Sequence, residues 1–380
     1  MKVFYWSPHI DQVATVRAVI NSAHSLSLYS KNFYAPYIIN VAGEWDQYLS
    51  ELNQKNIKII NLTNSKVINN KNIKGFVRSR MIYFYIFFIA FFPLLKLFKK
   101  VRPDYFIAHL ITPLPLIIKF LFNIKTKFIL RISGLPKLNN LRLFLWKISL
   151  KKIDIITCPT LGTKNFIKEK KLISNKKIHL LYDPVISTKL IQEKKKIPLN
   201  NFSLYDYFLS IGRLTKQKNF IFLVETFKEF NINKKNKLII IGEGEDRSKI
   251  EKIINDNNLH DTVHLIGYQK NVFNYFTKSK CFILSSLWED PGFVLIEAGY
   301  MNIPIISSDC ENGPSEFLNN GNGGLLFRSN NKKSLLECFK TFENLETNKI
   351  NKFKLSTKKS SRNFSIFKHY KNLNLILKKI

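Results

Sequence analysis

The sequence predicts an α/β protein of two doubly wound domains, and three observations carry that expectation. Short apolar runs of strand character alternate with stretches of helical period, the pattern of βαβ units and a parallel sheet. A length of 380 residues with 45% apolar side chains is enough for two cores of ordinary size. A charged, proline-containing stretch without apolar period, QEKKKIPLNN from Gln192 to Asn201, divides the alternation and reads as a linker.

In the first domain, 1–191, strands are expected at Val3 to Trp6, Ile57 to Asn61, Tyr105 to His109, Lys127 to Ile132 and Asp154 to Cys158. The pattern is sharper in the second, 202–358. Its strands are expected at Tyr205 to Ile211, Lys237 to Ile241, Val263 to Ile266, Cys281 to Leu284, Ile303 to Ser307 and Gly324 to Phe327. Helices are expected between them over 219–230, 246–257, 293–301 and 331–343. Open parallel sheets bind ligands at the C-terminal ends of their strands, so two such sheets facing one another make the cleft between domains the expected site.

Composition narrows the class. Sixty Lys and Arg against 27 Asp and Glu leave a net charge of +33, of which residues 1–200 carry +24. With 13% aromatic residues the chain can offset the entropy of folding, which excludes a disordered polyelectrolyte. Cys158, Cys281, Cys310 and Cys338 form no CxxC pair, so neither a disulfide framework nor a zinc ribbon is signalled and a reducing cytoplasm fits. The start, MKVFYWSPHIDQ, lacks the long apolar segment of a signal peptide. The longest apolar run, Met81 to Leu95, is fifteen residues between Arg78 and Arg80 on one side and Lys96, Lys99 and Lys100 on the other. It falls short of the roughly 20 residues of a bilayer span. A core helix, a helix in the membrane interface and a span all stay open. In the interfacial reading, basic flanks favour anionic lipid and Phe87, Phe88 and Phe91 enter it.

Two loops of the second domain carry chemistry. SIGRLTKQKNF, Ser210 to Phe220, leaves a strand at Gly212 and presents Arg213 and then Lys218 as the next helix begins. Two cations and a helix N-terminus suit a diphosphate. In LSSLWEDPGFVLIEAGY, Leu284 to Tyr300, Glu289 and Glu297 stand eight apart. Glu289 lies in the loop after a strand and Glu297 about one turn into the next helix. Gly292, Phe293 and Val294 would open that helix and aim backbone amides at an anion.

With these residues in place the sequence resembles the retaining GT-B glycosyltransferases of family 4, the group 1 glycosyltransferases, in the branch that builds bacterial surface polysaccharide. The resemblance rests on the E-x7-E pair, the GRL-x3-K loop (Gly212, Arg213, Leu214, Lys218), IIIGEGEDRSKI, HLIGYQKNV and GPSEFL, in the family's order from Ser210 to Phe327. DYFIAHLITPLPL and ILRISGLPKL add a softer likeness in the first half. The resemblance implies two Rossmann-like domains, with residues 359–380 as a last helix crossing back onto the first. It further implies that Arg213 and Lys218 hold a donor diphosphate, that Glu297 binds ribose hydroxyls, and that Glu289 orients the donor sugar or stabilises positive charge at its anomeric carbon. Tyr268 and Asn271, after the strand ending at Gly267, would frame the base as the equivalent loop does in the family, with a plain turn as the alternative.

His109 resembles a family histidine that approaches the donor sugar, with a satisfied structural histidine as the alternative. Arg131, Ser133 and Gly134 are acceptor-side or phosphate candidates, or a plain surface loop. The family's Gly-Gly loop after the first strand is replaced by SPHIDQVAT, leaving His9, Asp11 and Gln12 as weak candidates.

No DxD motif occurs, so neither a metal nor another cofactor is expected to be required. GEGEDR has Arg247 where a dinucleotide fingerprint needs Gly, and His260 and His264, although four apart, do not share a helical face because the second lies in an expected strand. The function expected is transfer of a hexose or N-acetylhexosamine, from a UDP-sugar by preference, to a lipid-linked saccharide of lipopolysaccharide, O-antigen or capsule. The expected place is cytoplasmic, on the inner face of the cytoplasmic membrane, against anionic lipid. A non-catalytic glycan-pathway subunit and a nucleic-acid-binding protein remain as alternatives. No nucleic-acid partner is expected, because net charge alone supports one and no recognition motif accompanies it.

Overall fold

A computed structural model of the chain describes residues 1–10, 14–68, 76–110, 112–132, 134–135, 139–198 and 206–380. It divides into two compact units, Met1–Pro184 with Ile366–Ile380, and Val185–Ser365. The first holds a parallel sheet of β1 (Lys2–Trp6), β2 (Ala35–Asn40), β3 (Lys58–Asn61), β4 (Tyr105–Ala108), β5 (Lys127–Arg131), β6 (Ile155–Cys158) and β7 (Ile178–Leu180), in the order β3-β2-β1-β4-β5-β6-β7. Its central strands are apolar on both faces because helices cover both. Along β1, Phe4 and Trp6 enter one core with the helix Phe76–Val101, and Val3 and Tyr5 enter another with the helices Ala14–Tyr29 and Ile366–Leu377.

The second unit holds β8 (Tyr207–Ile211), β9 (Leu238–Ile241), β10 (Val263–Leu265), β11 (Ser279–Leu284), β12 (Ile305–Ser308) and β13 (Leu325–Phe327), parallel and ordered β10-β9-β8-β11-β12-β13. The helices Phe220–Phe230, Arg247–Asp256 and Lys332–Glu343 cover one face through Phe227, Ile250 and Phe339, packed on Phe208, Ile240 and Ile283.

The domain boundaries differ from those the sequence suggests. The chain passes from the first unit to the second at Pro184, upstream of Gln192, and returns after Ser365. Burial explains the shift. Ile186 and Ile191 are both buried, Ile186 pairs with Ser365, and the helix Thr188–Lys194 takes up the start of the expected linker. Leu199, Asn200 and Asn201, at its end, lie outside the described residues. At the other end, the helix Thr347–Ser361 runs through the expected boundary at 358, and the crossing helix is Ile366–Leu377. It docks on the first unit by Leu373, Ile376 and Leu377, with the Tyr34 hydroxyl donating to Asn374 (3.0 Å) and the Tyr105 hydroxyl to the Leu377 carbonyl (3.0 Å).

The apolar run is also longer than fifteen residues in effect. It belongs to a 26-residue helix, Phe76–Val101, of which Arg80–Val101 is long and apolar enough to cross a bilayer. Length therefore does not argue against a span. Packing does, because Ile82, Ile86, Ala90, Leu94 and Phe98 lie in the core with Phe106 and Phe128 of the sheet.

Candidate active site

β8 has β9 on one side and β11 on the other, so the winding of the second sheet reverses there. Loops leaving such a switch point frame the usual ligand crevice of an open α/β sheet. After β8 the chain turns at Thr215, whose carbonyl accepts the Lys218 (3.0 Å) and Asn219 (3.2 Å) amides, and the helix Phe220–Phe230 begins. This turn folds the Lys218 stem over Gly212 and delivers Nζ to the loop after β11, where it meets Glu289 Oε1 at 2.5 Å. The Ser286 hydroxyl donates to the same oxygen at 2.5 Å.

The two loops are tied along their length. The Leu287 amide donates to the Gln217 carbonyl (2.8 Å), Gln217 Nε2 to the Trp288 carbonyl (2.9 Å), and the Ser285 hydroxyl to the Lys218 carbonyl (2.7 Å). From β12, the Ser308 hydroxyl holds the Ser286 carbonyl (2.6 Å). Gly242 fixes the neighbouring loop by close approach: a Cβ there would lie 1.8 Å from the Gly212 carbonyl oxygen.

Glu289 is buried and paired, whereas Arg213 is exposed. Gly292, at φ +92, caps the helix Phe293–Tyr300 with no side chain to offer, so its cap residue supplies no acceptor to the first-turn amides of Phe293 and Val294. Such amides carry the positive end of the helix dipole. Glu297 stands one turn further on. The surrounding protein pushes its carboxyl up to about 7, with burial the larger cause and the Lys194 charge opposing it. The sign follows from linkage. A carboxyl raised above its ordinary 4.5 binds more protons folded than unfolded, so its ionisation withdraws stability as pH rises from about 4.5 to 7. Glu297→Gln is expected to flatten that part of the stability profile, measured as the difference in melting midpoint between variant and wild type across pH.

The structure thus brings Gly212, Lys218, Glu289, Gly292, Phe293 and Val294 together, with Ser286 and Gln217 as supports that the sequence reading missed. Ser286 could have been found by its place three residues before Glu289. Gly267 joins the frame through its carbonyl, which accepts the Gly242 amide (2.9 Å), and Tyr268 is 68% exposed beside it. Asn271 is a structural residue, since its amide donates to the Lys194 carbonyl (2.9 Å) and its oxygen accepts the Phe273 amide (3.1 Å).

First-domain candidates fare differently. His109 does follow β4, but it is 6% exposed, with neither ring nitrogen hydrogen-bonded among the described residues. Burial, then the nearby Arg131 and His369, push its pKa well below the ordinary value. It is neither an open cleft residue nor a satisfied one. Arg131 is not in a surface loop: its Nε donates to Asp183 Oδ1 at 2.9 Å and its NH2 to Oδ2, with both side chains buried. His9 is buried too, its ring edge on Trp45 at 4.7 Å and Nδ1 3.1 Å from the Ser7 carbonyl. Asp11, Gln12 and Ser133 lie outside the described residues. Among the described residues no three His, Cys, Asp or Glu side chains converge as metal ligands.

Comparison with known proteins meets this geometry at its centre, because residues 191–360 match the family Glycosyl transferases group 1. The matched stretch carries every second-unit residue named above from Gly212 to Glu297. An uncharacterized glycosyltransferase of Methanocaldococcus jannaschii is 35% identical over 250 residues, covering 60% of this chain and 61% of the relative. The N-acetylgalactosamine-N,N'-diacetylbacillosaminyl-diphospho-undecaprenol 4-alpha-N-acetylgalactosaminyltransferase of Campylobacter jejuni is 32% identical over 155 residues, covering 40% of this chain and 41% of the relative. The chain thus spans less than two thirds of these curated relatives. The crystal structure of a glycosyltransferase from Rickettsia africae matches all of this chain and 98% of its own, at TM-score 0.76 and 19% identity, and the fold is GT-B.

Proposed function

We propose that the protein is a glycosyltransferase of bacterial surface-glycan synthesis. It moves a hexose or N-acetylhexosamine from a nucleotide sugar, by preference a UDP-sugar, to a lipid-linked saccharide with retention at the anomeric carbon. The observation that carries this reading is the Lys218–Glu289 pair at the switch point, beside exposed Arg213 and the uncapped head of the helix Phe293–Tyr300. The Campylobacter relative, whose name specifies a diphospho-undecaprenol acceptor, supports the lipid-linked acceptor.

The chemistry follows from charge. As the bond from the anomeric carbon to the diphosphate breaks, negative charge grows on the leaving oxygens and positive charge on the sugar. Arg213, Lys218 and the helix amides meet the first, and the Glu289 carboxylate meets the second. Glu297, once ionised, accepts hydrogen bonds from the ribose diol.

A screen of nucleotide sugars by thermal stabilisation tests the donor, because a ligand bound only by the folded protein raises the melting midpoint. No shift with any nucleotide sugar would sink the reading, and a shift without hydrolysis or transfer would return it to a non-catalytic subunit. Donor affinity is expected to weaken as pH falls below about 7, where Glu297 takes up its proton, and to lose that dependence in Glu297→Gln. Turnover is expected to persist in EDTA, because protein cations neutralise the leaving group. Complete loss restored by magnesium or manganese would reject that.

A further inference from the structure

The helix Phe76–Val101 has two apolar faces, and only one has a partner. Ile82, Ile86, Ala90 and Leu94, four residues apart, enter the core. On the other side Phe84, Phe88 and Phe92, again four apart, are 67%, 72% and 76% exposed, with Met81 beside them. The helix Pro113–Leu121 adjoins it through the contact between the rings of Phe91 and Phe122, and leaves Phe120 and Leu121 exposed. Phe87 and Phe91 are only half-buried and pack toward the core, so of the three phenylalanines that the sequence suggests for lipid only Phe88 points outward.

Charge says what covers this face. Residues 52–153 contain twenty Lys and Arg and a single acid, Asp104; Lys55, Lys119, Lys127 and Arg131 are paired with acids outside that stretch, and Lys96, Lys99 and Lys100 at the end of the helix are exposed. Where the aromatic row ends, a groove of about 490 Å³ runs between the helix and the edge strand β3, lined by Ile60, Leu62, Phe92, Lys96 and Lys100. An apolar row that leads into a pair of lysines matches acyl chains followed by phosphate, in that order of depth.

We propose that this face docks on an anionic phospholipid bilayer, with Phe84, Phe88 and Phe92 among the acyl chains and Lys96 and Lys100 at the headgroup phosphates. The packed face forbids a span, so the helix lies along the interface. A second copy or an acidic protein would be poorer occupants, since the first repeats the same positive charge and the second offers no hydrocarbon to the aromatic row. The surface lies in the first unit and owes nothing to the donor site, so the two readings fail separately.

The test is co-sedimentation of the full chain with phosphatidylcholine vesicles, with and without phosphatidylglycerol. Wild type is expected to pellet with the anionic vesicles at low salt and to be released as salt screens the lysines. Replacing Phe84, Phe88 and Phe92 together by Ser is expected to lower partitioning at least about tenfold at an unchanged melting midpoint, because those side chains are already solvent-exposed. Lys96→Glu with Lys100→Glu is expected to abolish the preference for phosphatidylglycerol. Wild type that stays in the supernatant overturns the proposal. So does a triple variant that pellets as well as wild type, or a self-association that these substitutions abolish while vesicles go unbound. Thermal stabilisation by nucleotide sugar is read on the same variants and is expected to be unchanged.

Discussion

Lys218→Ala is expected to lower turnover by about two orders of magnitude or more and to destabilise the protein in the same stroke. The first effect is the usual scale for removing a group that neutralises transition-state charge. The second follows because Glu289, with 5% of its side chain exposed, would lose its cation, a change that costs about 3 kcal/mol or more. Arg213→Ala separates the two effects. It removes an exposed cation, so turnover is expected to fall comparably while stability moves by no more than about 0.5 kcal/mol. Combining Lys218→Met with Glu289→Gln removes both charges and is expected to recover most of the stability and none of the turnover. Single-turnover rates and melting midpoints of these variants check the argument, and wild-type turnover in Lys218→Ala would remove the lysine from the site.

Asp183→Ala is expected to destabilise the first unit strongly, again by about 3 kcal/mol or more, for a related reason. It removes the buried carboxylate that meets the Arg131 guanidinium through two nitrogens, with His109 and His369 close by. His369 Nδ1 donates to the Tyr182 carbonyl (2.7 Å), so its Nε2 is left to accept from the Ser22 hydroxyl (2.9 Å). Burial pushes His369 down to about 4. Stability from this neutral imidazole is complete above its unfolded value near 6.5 and is lost as pH falls below it. Without the carboxylate, Arg131 disfavours the imidazolium further. Chemical denaturation at pH 7 of Asp183→Ala beside Asp183→Asn measures the cost, and a loss below about 1 kcal/mol in the first would contradict it.

The second unit was the more legible half because its strands are bounded by loops with strong local signals. Gly212, Gly242 and Gly267 end successive strands, and the six strands and the four expected helices lie within about two residues of the sequence reading, whereas the helix Thr347–Ser361 has no counterpart there. In the first unit β2 escaped notice because Pro36 stands in it. Proline is tolerated there because β2 pairs with β3 only from Tyr37 onward. β7 is three residues long and, unlike β10 and β13 of the same length, has no glycine loop beside it to mark an end. The candidate site divides the same way. Lys218, Glu289 and Gly292 follow from loop chemistry confined to short segments. The Arg131–Asp183 pair joins residues 52 apart, and His369 reaches Ser22 across 347, distances over which one sequence carries no signal.

Apart from the Ser285 hydroxyl, the ties on the loop that carries Glu289 run through its main chain, by the Leu287 amide and the carbonyls of Ser286 and Trp288. No side chain of residue 287 or 288 takes part in those bonds. The frame that aims the carboxylate is therefore indifferent to what those two positions display, and Trp288, half exposed at the rim, can be exchanged without disturbing the machinery beneath it. A scaffold arranged in this way lets the surface at those two positions vary while Lys218 and Glu289 stay where they are.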